Sequence, residues 1–216
     1  QILRGRLDTP SVVSSQDAAA ETASPGLVEL AIQPKLSGKP VHAHFGGIGI
    51  WLLPQAGRVF SATVSDQLNA RSRLCHPGWR FEALSVHRDW RPSAEISASL
   101  DAFYMEAAWQ ARDDLPRFPE GQYQLSDWPD LGAAANLVDV LRVVRALLHR
   151  CANVEEVASA SGLSERDVSA CLWALRASNL LSMQLDTPQK PASASRRQSS
   201  GLWSRLAAHF GLARTV

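Results

Sequence analysis

The pattern of apolar and polar positions changes character along this chain. Residues 1–26 keep no sustained period beyond Ile2-Leu3-Arg4-Gly5-Arg6-Leu7. Their Ser, Ala, Thr, Gln and Pro content buries too little surface to offset the entropy of ordering, so a flexible arm is expected there. From Leu27 the apolar runs are short and set off by turn residues. Leu27 to Gln33, Val41 to Phe45 and Ile48 to Leu53 read as strands, with Gly46-Gly47 between the last two as a two-residue hairpin signal. Pro54-Gln55-Ala56-Gly57 supplies the next turn before a further strand from Arg58 to Val64, which makes an antiparallel meander.

Beyond the meander, Ser65 to Leu74 suits a short helix or a loop, and Trp79 to Val86 alternates as a strand does. Ser93 is a fitting N-cap for a helix carrying Ile96, Leu100, Phe103, Ala107 and Ala111 at three- and four-residue spacing. That helix is expected to cover one face of the sheet. Leu115-Pro116-Arg117-Phe118-Pro119-Glu120-Gly121 ends it, Tyr123 to Trp128 is extended again, and Gly132 to Ala135 marks a boundary. The expected fold class is therefore α+β, with an antiparallel sheet domain and its covering helix over residues 27–131.

A helical period dominates residues 132–186. Leu137, Val140, Leu141, Val144, Leu147, Leu148 and Cys151 form one apolar stripe of about four turns. A second helix, Val154 to Ser161, stops at Gly162, the residue best suited to a left-handed helix end. Ser164 and Asp167 sit at capping-box spacing before a third helix with Val168, Cys171, Leu172 and Leu175 on its apolar side. Leu180 to Leu185 then alternates as a strand.

Helix, helix, tight glycine turn, helix, strand resembles a winged helix-turn-helix module over about residues 136–186. The stretch Val154-Glu155-Glu156-Val157-Ala158-Ser159-Ala160-Ser161-Gly162-Leu163-Ser164 is similar to the turn of many bacterial regulators. The alternative is a plain three-helix bundle. Pro188 and a polar tail leave no second wing strand, so Tyr123 to Trp128 is the segment expected to pair with Leu181 to Leu185. The whole arrangement is also loosely similar to uncharacterised proteobacterial proteins associated with small GTPases and their roadblock-type partners, a likeness that carries no residue across.

The resemblance implies that the third helix enters a DNA major groove, with Arg166, Ser169 and Arg176 as nucleic-acid-binding residues. Charge argues the other way. The chain carries 22 Lys and Arg against 21 Asp and Glu, and within 136–186 five arginines meet six acids, Asp139, Glu155, Glu156, Glu165, Asp167 and Asp186. Phosphate binding needs several uncompensated cations. DNA is therefore the disfavoured alternative, and Trp173 and Arg176, read as exposed, suit a protein partner better.

The tail is the other candidate. Residues 187–200 have linker composition, and 201–216 place Leu202, Trp203, Leu206 and Phe210 on one face of an amphipathic helix. Docking in a partner's groove is expected of it, ahead of a peripheral membrane contact, with packing onto its own domain as the alternative.

Candidate chemistry is sparse. His42 and His44 share one strand face as metal-binding His-x-His pairs do, but no second cluster completes a site, so no metal and no cofactor are expected. Phe45-Gly46-Gly47-Ile48-Gly49-Ile50 has neither dinucleotide nor phosphate-loop spacing. Cys75-His76 is not a triad, and Cys151 and Cys171, on apolar faces, read as core in a chain whose three cysteines suit a reducing compartment. No run reaches the roughly 18 apolar residues of a spanning helix, and the start lacks a secretory pattern while beginning at Gln1, which leaves room for an upstream piece. The expectation is a non-enzymatic, cytoplasmic bacterial adaptor or regulator acting through protein contacts. A DNA-binding transcriptional regulator with an N-terminal sensing domain is the alternative, and a hydrolase or metalloenzyme comes third.

Overall fold

The fold is known from a computed structural model, which describes residues 24–85, 92, 96–132, 137–148 and 150–184. It is mixed α and β. A five-stranded antiparallel sheet has the order β4-β1-β2-β3-β5, from β1 (Val41–Phe45), β2 (Ile48–Leu53), β3 (Arg58–Ser61), β4 (Arg80–Ala83) and β5 (Ile96–Ser99). Six helices accompany it among the described residues: α1 (Gly26–Ile32), α2 (Val64–Arg73), α3 (Leu100–Gln110), α4 (Leu137–Leu148), α5 (Val154–Ser161) and α6 (Glu165–Ala177). A two-stranded sheet pairs β6 (Gln122–Leu125) with β7 (Leu181–Gln184).

The hairpin between β1 and β2 turns on Gly46 and Gly47, both at positive φ (52° and 89°), the backbone that a two-residue loop needs to follow the twist of its strands. Register then sorts the side chains. Ala83, Val41, Leu52, Val59 and Ala98 lie in one row across the sheet, and Glu82, His42, Trp51, Phe60 and Ser97 lie in a row on the opposite face. Val41, Leu52 and Val59 are fully buried, so the first row faces the core. Helices α2 and α3 pack on the sheet, and α6 packs on α3 and α1 beyond them.

Two expectations are corrected. Leu27 to Gln33 is not a strand but helix α1, because a short apolar run interrupted only by Glu29 fits either element and here it buries Leu27, Val28, Leu30 and Ala31 on helical spacing. The helix start is satisfied from elsewhere: the amides of Gly26 and Leu27 donate to the carbonyls of His76 (3.3 Å) and Leu74 (3.0 Å). The covering helix does not begin after Ser93. Ile96 pairs with Ser61 in β5, and the cap is Ser99, whose hydroxyl accepts from the amide of Ala102. The four-residue step from Ile96 to Leu100 imitates a helical period across a strand-to-helix junction.

In the C-terminal part, α5 is closed at its start by a full capping box between Asn153 and Glu156 and at its end by Gly162 at φ 72°. Ser164 caps α6 through the amide of Asp167. The upstream strand does pair as expected, with Tyr123 opposite Met183 and Leu125 opposite Leu181. Ala152, between α4 and α5, bonds to Tyr123 through both backbone groups at 2.9 Å. Cys151 lies in that connection, past the end of α4, and is half-buried rather than on the helical stripe. One continuous buried core runs from Leu27 to Leu181, across the expected boundary near Gly132.

Candidate interaction surface

Helix α6 is the element on which the expected sites stand, and its middle is buried on every side. From Val168 to Leu175 each residue is in the core, including Ser169 and Trp173, each 4% exposed. The cover on one flank is the segment 112–118, which runs along the helix like a strap. Trp173 donates its indole N–H to the Pro116 carbonyl at 2.8 Å, and its ring meets Phe118 edge-on at 4.7 Å. The Phe118 amide donates to the Ser169 hydroxyl at 3.3 Å. Ion pairs line the rim: Arg112 with Asp167 (3.2 Å), Arg117 with Glu165 (2.8 Å) and Arg166 with Asp113 (2.8 Å).

The expectation that Trp173 and Ser169 are exposed is thereby corrected. The proline-rich segment that covers them lies about fifty residues upstream, so helical spacing within α6 could not reveal it. Arg166 is exposed, but its charge is opposed by Asp113 rather than free. Arg176 is half-buried in the last turn, near Tyr123, whose hydroxyl is pushed up by burial while Arg176 draws it down. Of the four candidates on this helix, Ser169 and Trp173 are therefore buried, while Arg166 is paired at the surface and Arg176 is half-buried. Leu202, Trp203, Leu206 and Phe210 lie outside the described residues, as do the linker 187–200 and the rest of 201–216.

An open basic cleft lies between α4 and α5. It has a volume of about 730 Å³ and is lined by Arg142, Arg145 and Ala146 of α4, by Arg150, and by Ala160 and Ser161 of α5. All three arginines are exposed. Arg142 reaches Asp139 at 3.3 Å on its own helix, while Arg145 and Arg150 have no carboxylate partner among the described residues. Apolar stripes put Val140, Val143, Val144 and Leu147 of α4 into the core, which leaves Arg142 and Arg145 on the opposite face. This cleft was not anticipated. Its signal was present in the three-residue step from Arg142 to Arg145, which places both on one side of a helix.

The outer face of the large sheet carries aromatic groups. His42 stacks on Trp51 across the β1–β2 pair (5.1 Å between ring centres, 19° between planes), and His44 meets His42 edge-on at 5.5 Å. No group of three or more His, Cys, Asp or Glu side chains suited to a metal ion occurs among the described residues. Cys75 is buried, its thiol pushed up to about 12 by desolvation and then by the Asp114 carboxylate, and its Sγ points at the Ala107 carbonyl (3.5 Å) rather than at exposed His76. A thiol held so far from ionisation is a poor nucleophile. Among the described residues no helix is long and apolar enough to cross a membrane.

Comparison with protein-family models, with curated proteins and with solved structures finds no match to this chain.

Proposed function

We propose that this protein is a non-enzymatic adaptor or regulator that works through protein contacts, and that its C-terminal part is a degenerate winged helix turned from nucleic acid to protein. The observation that carries the proposal is the arginine cleft between α4 and α5. Guanidinium groups match carboxylates with two parallel hydrogen bonds, and Arg145 and Arg150 have theirs to offer. Ala146 and Ala160 add an apolar floor, so the occupant is an acidic protein segment that also carries apolar side chains.

Burial of α6 supports the same reading, since a helix covered by its own chain is not free to enter a groove. The order of α4, Ala152, α5, α6 and β7, with β6 as the neighbouring strand, supports the winged-helix comparison. Glu155, Glu156 and Glu165 keep the rest of this part from presenting a continuous basic track. The amphipathic pattern of 201–216 supplies a second docking element in this reading.

Fluorescence anisotropy with a labelled peptide alternating glutamate and leucine tests the proposal, beside a glutamine-for-glutamate control and a DNA duplex. The acidic peptide is expected to bind, and the double variant Arg145→Glu/Arg150→Glu to weaken it by about tenfold or more. Equal binding by the double variant overturns the cleft as the site. Salt-dependent duplex binding that the same variant abolishes, with no peptide binding, replaces the adaptor reading by a nucleic-acid one.

A further inference from the structure

We propose that two copies of this chain associate about a two-fold axis by pairing β4 with β4, so that one sheet runs through both. The two edges of the five-stranded sheet are not alike. At one edge, Ser99 at the end of β5 donates its hydroxyl to the Asp130 carbonyl, and the Asp130 amide donates to Asp101 at 2.8 Å. At the other edge, β4 has β1 on one side and no neighbour among the described residues on the other. Arg80, Glu82 and Ala83 are exposed there.

The hydrogen-bond phase of that edge follows from one bond. Leu84 donates its amide to the Pro40 carbonyl at 2.8 Å, which makes Pro40 and Leu84 a hydrogen-bonded pair. Antiparallel ladders alternate, so Glu82 opposite His42 and Arg80 opposite His44 also turn their backbone groups towards β1. Phe81 and Ala83 turn theirs outwards. A second strand can therefore bond at Phe81 and Ala83 without disturbing the first.

Side-chain charge selects the register. Arg80 and Glu82 lie on the same face of the strand, and neither has an ion-pair partner among the described residues. With Phe81 opposite Phe81 of the second copy, Arg80 of each copy falls opposite Glu82 of the other. Both pairs occupy non-hydrogen-bonded sites, where opposing side chains come closest. A shift that sets Glu82 opposite Glu82 brings like charges together and is disfavoured. Charges of one sign would keep such an edge apart, whereas alternating signs make it complementary to itself.

Sedimentation equilibrium of the full chain is the test, with four samples beside the parent protein. The parent is expected to be a dimer. Arg80→Glu alone and Glu82→Arg alone are expected to weaken association by roughly tenfold or more each, because each puts like charges opposite one another. An equimolar mixture of the two single variants restores a dimer, since one chain then offers two acids and the other two bases. The double exchange Arg80→Glu/Glu82→Arg restores it within one chain. A parent protein that stays monomeric overturns the proposal, as does a dimer that all the variants keep, or single variants that fail to associate when mixed. Both residues are exposed, so unchanged thermal transitions in the variants separate lost pairing from lost folding.

Discussion

Trp173 donates its indole N–H to the carbonyl of Pro116 across 57 positions of sequence. That bond ties a helix near the end of the described chain to a loop that follows the covering helix of the sheet. It has a direct energetic consequence. Trp173→Ala removes a large buried ring and is expected to lower the unfolding free energy by about 3–5 kcal/mol. Trp173→Phe keeps most of the packing but leaves the carbonyl without its donor, for a loss of about 1–3 kcal/mol. Urea denaturation measures both. A loss near zero for the alanine variant would mean that the ring lies free on the surface.

Gly26 offers a prediction that runs against helix propensity. Alanine is favoured over glycine inside a helix by about 1 kcal/mol. Here a Cβ at position 26 would stand 2.7 Å from the Leu74 carbonyl oxygen and 2.9 Å from Cδ1 of Trp79. The backbone at Leu74 also accepts from Leu27, so it cannot move away without stretching that bond. Gly26→Ala is expected to destabilise by about 1–3 kcal/mol, as overpacking does. A thermal transition at or above that of the parent would show that α1 does not sit this close to α2.

The elements that sequence made legible are those whose signal is local. Gly46-Gly47 announces its hairpin, Gly162 its helix end, and Ser164 with Asp167 its helix start, because each acts on backbone atoms within a few positions. The pairing of the Tyr123 strand with the Leu181 strand was also readable, because Pro188 and the polar sequence around it offer no alternating segment to pair instead. What failed were choices that depend on distant neighbours. Leu27 to Ile32 becomes a helix because α6 and the end of α2 receive it, and no local feature distinguishes that from a buried strand. Trp173 read as exposed because Pro116 and Phe118, which cover it, belong to a segment whose prolines mark it as a loop. The arginine cleft was missed for the opposite reason. Arg142 and Arg145 stand off the apolar stripe of α4, and only the nearness of α5 makes them part of a concave surface.

Alkaline sensitivity follows from the buried thiol. Cys75 has its pKa raised from 9.0 to about 12, first by burial and then by Asp114. A group that ionises later in the folded chain than in the unfolded one contributes stability fully present below the unfolded value. That contribution is lost as pH rises from about 9 towards about 12. Cys171, Tyr104 and Tyr123 are raised by burial as well and act in the same direction. The urea midpoint is expected to fall between about pH 8 and about pH 10.5, and Cys75→Ala to make that fall shallower. Under native conditions half-buried Cys151 should react with a thiol reagent before Cys75 or Cys171. A midpoint that stays level would mean that the thiol is accessible in the folded state.

The strap over α6 is held by apolar contact rather than by its ion pairs. Arg117 and Glu165 are 64% and 46% exposed at their side chains, and Arg166 and Asp113 are 64% and 66% exposed, so water and salt screen both pairs. Each is worth less than about 0.5–1 kcal/mol. Arg112 with Asp167 is somewhat better sheltered, at 40% and 23%, and still falls within about 1 kcal/mol. Phe118, by contrast, is 3% exposed and sits between Tyr123 and Trp173 with ring centres 5.0 and 4.7 Å away. Its truncation to alanine is expected to cost about 3–5 kcal/mol, several times the sum lost by neutralising any one pair. Double-mutant cycles at Arg112/Asp167 and Arg117/Glu165, set beside Phe118→Ala in the same denaturation assay, measure the comparison. Coupling energies that match or exceed the loss at Phe118 would make the rim charges the clasp, and about 1 M salt would then release the strap to limited proteolysis while leaving the rest of the core protected.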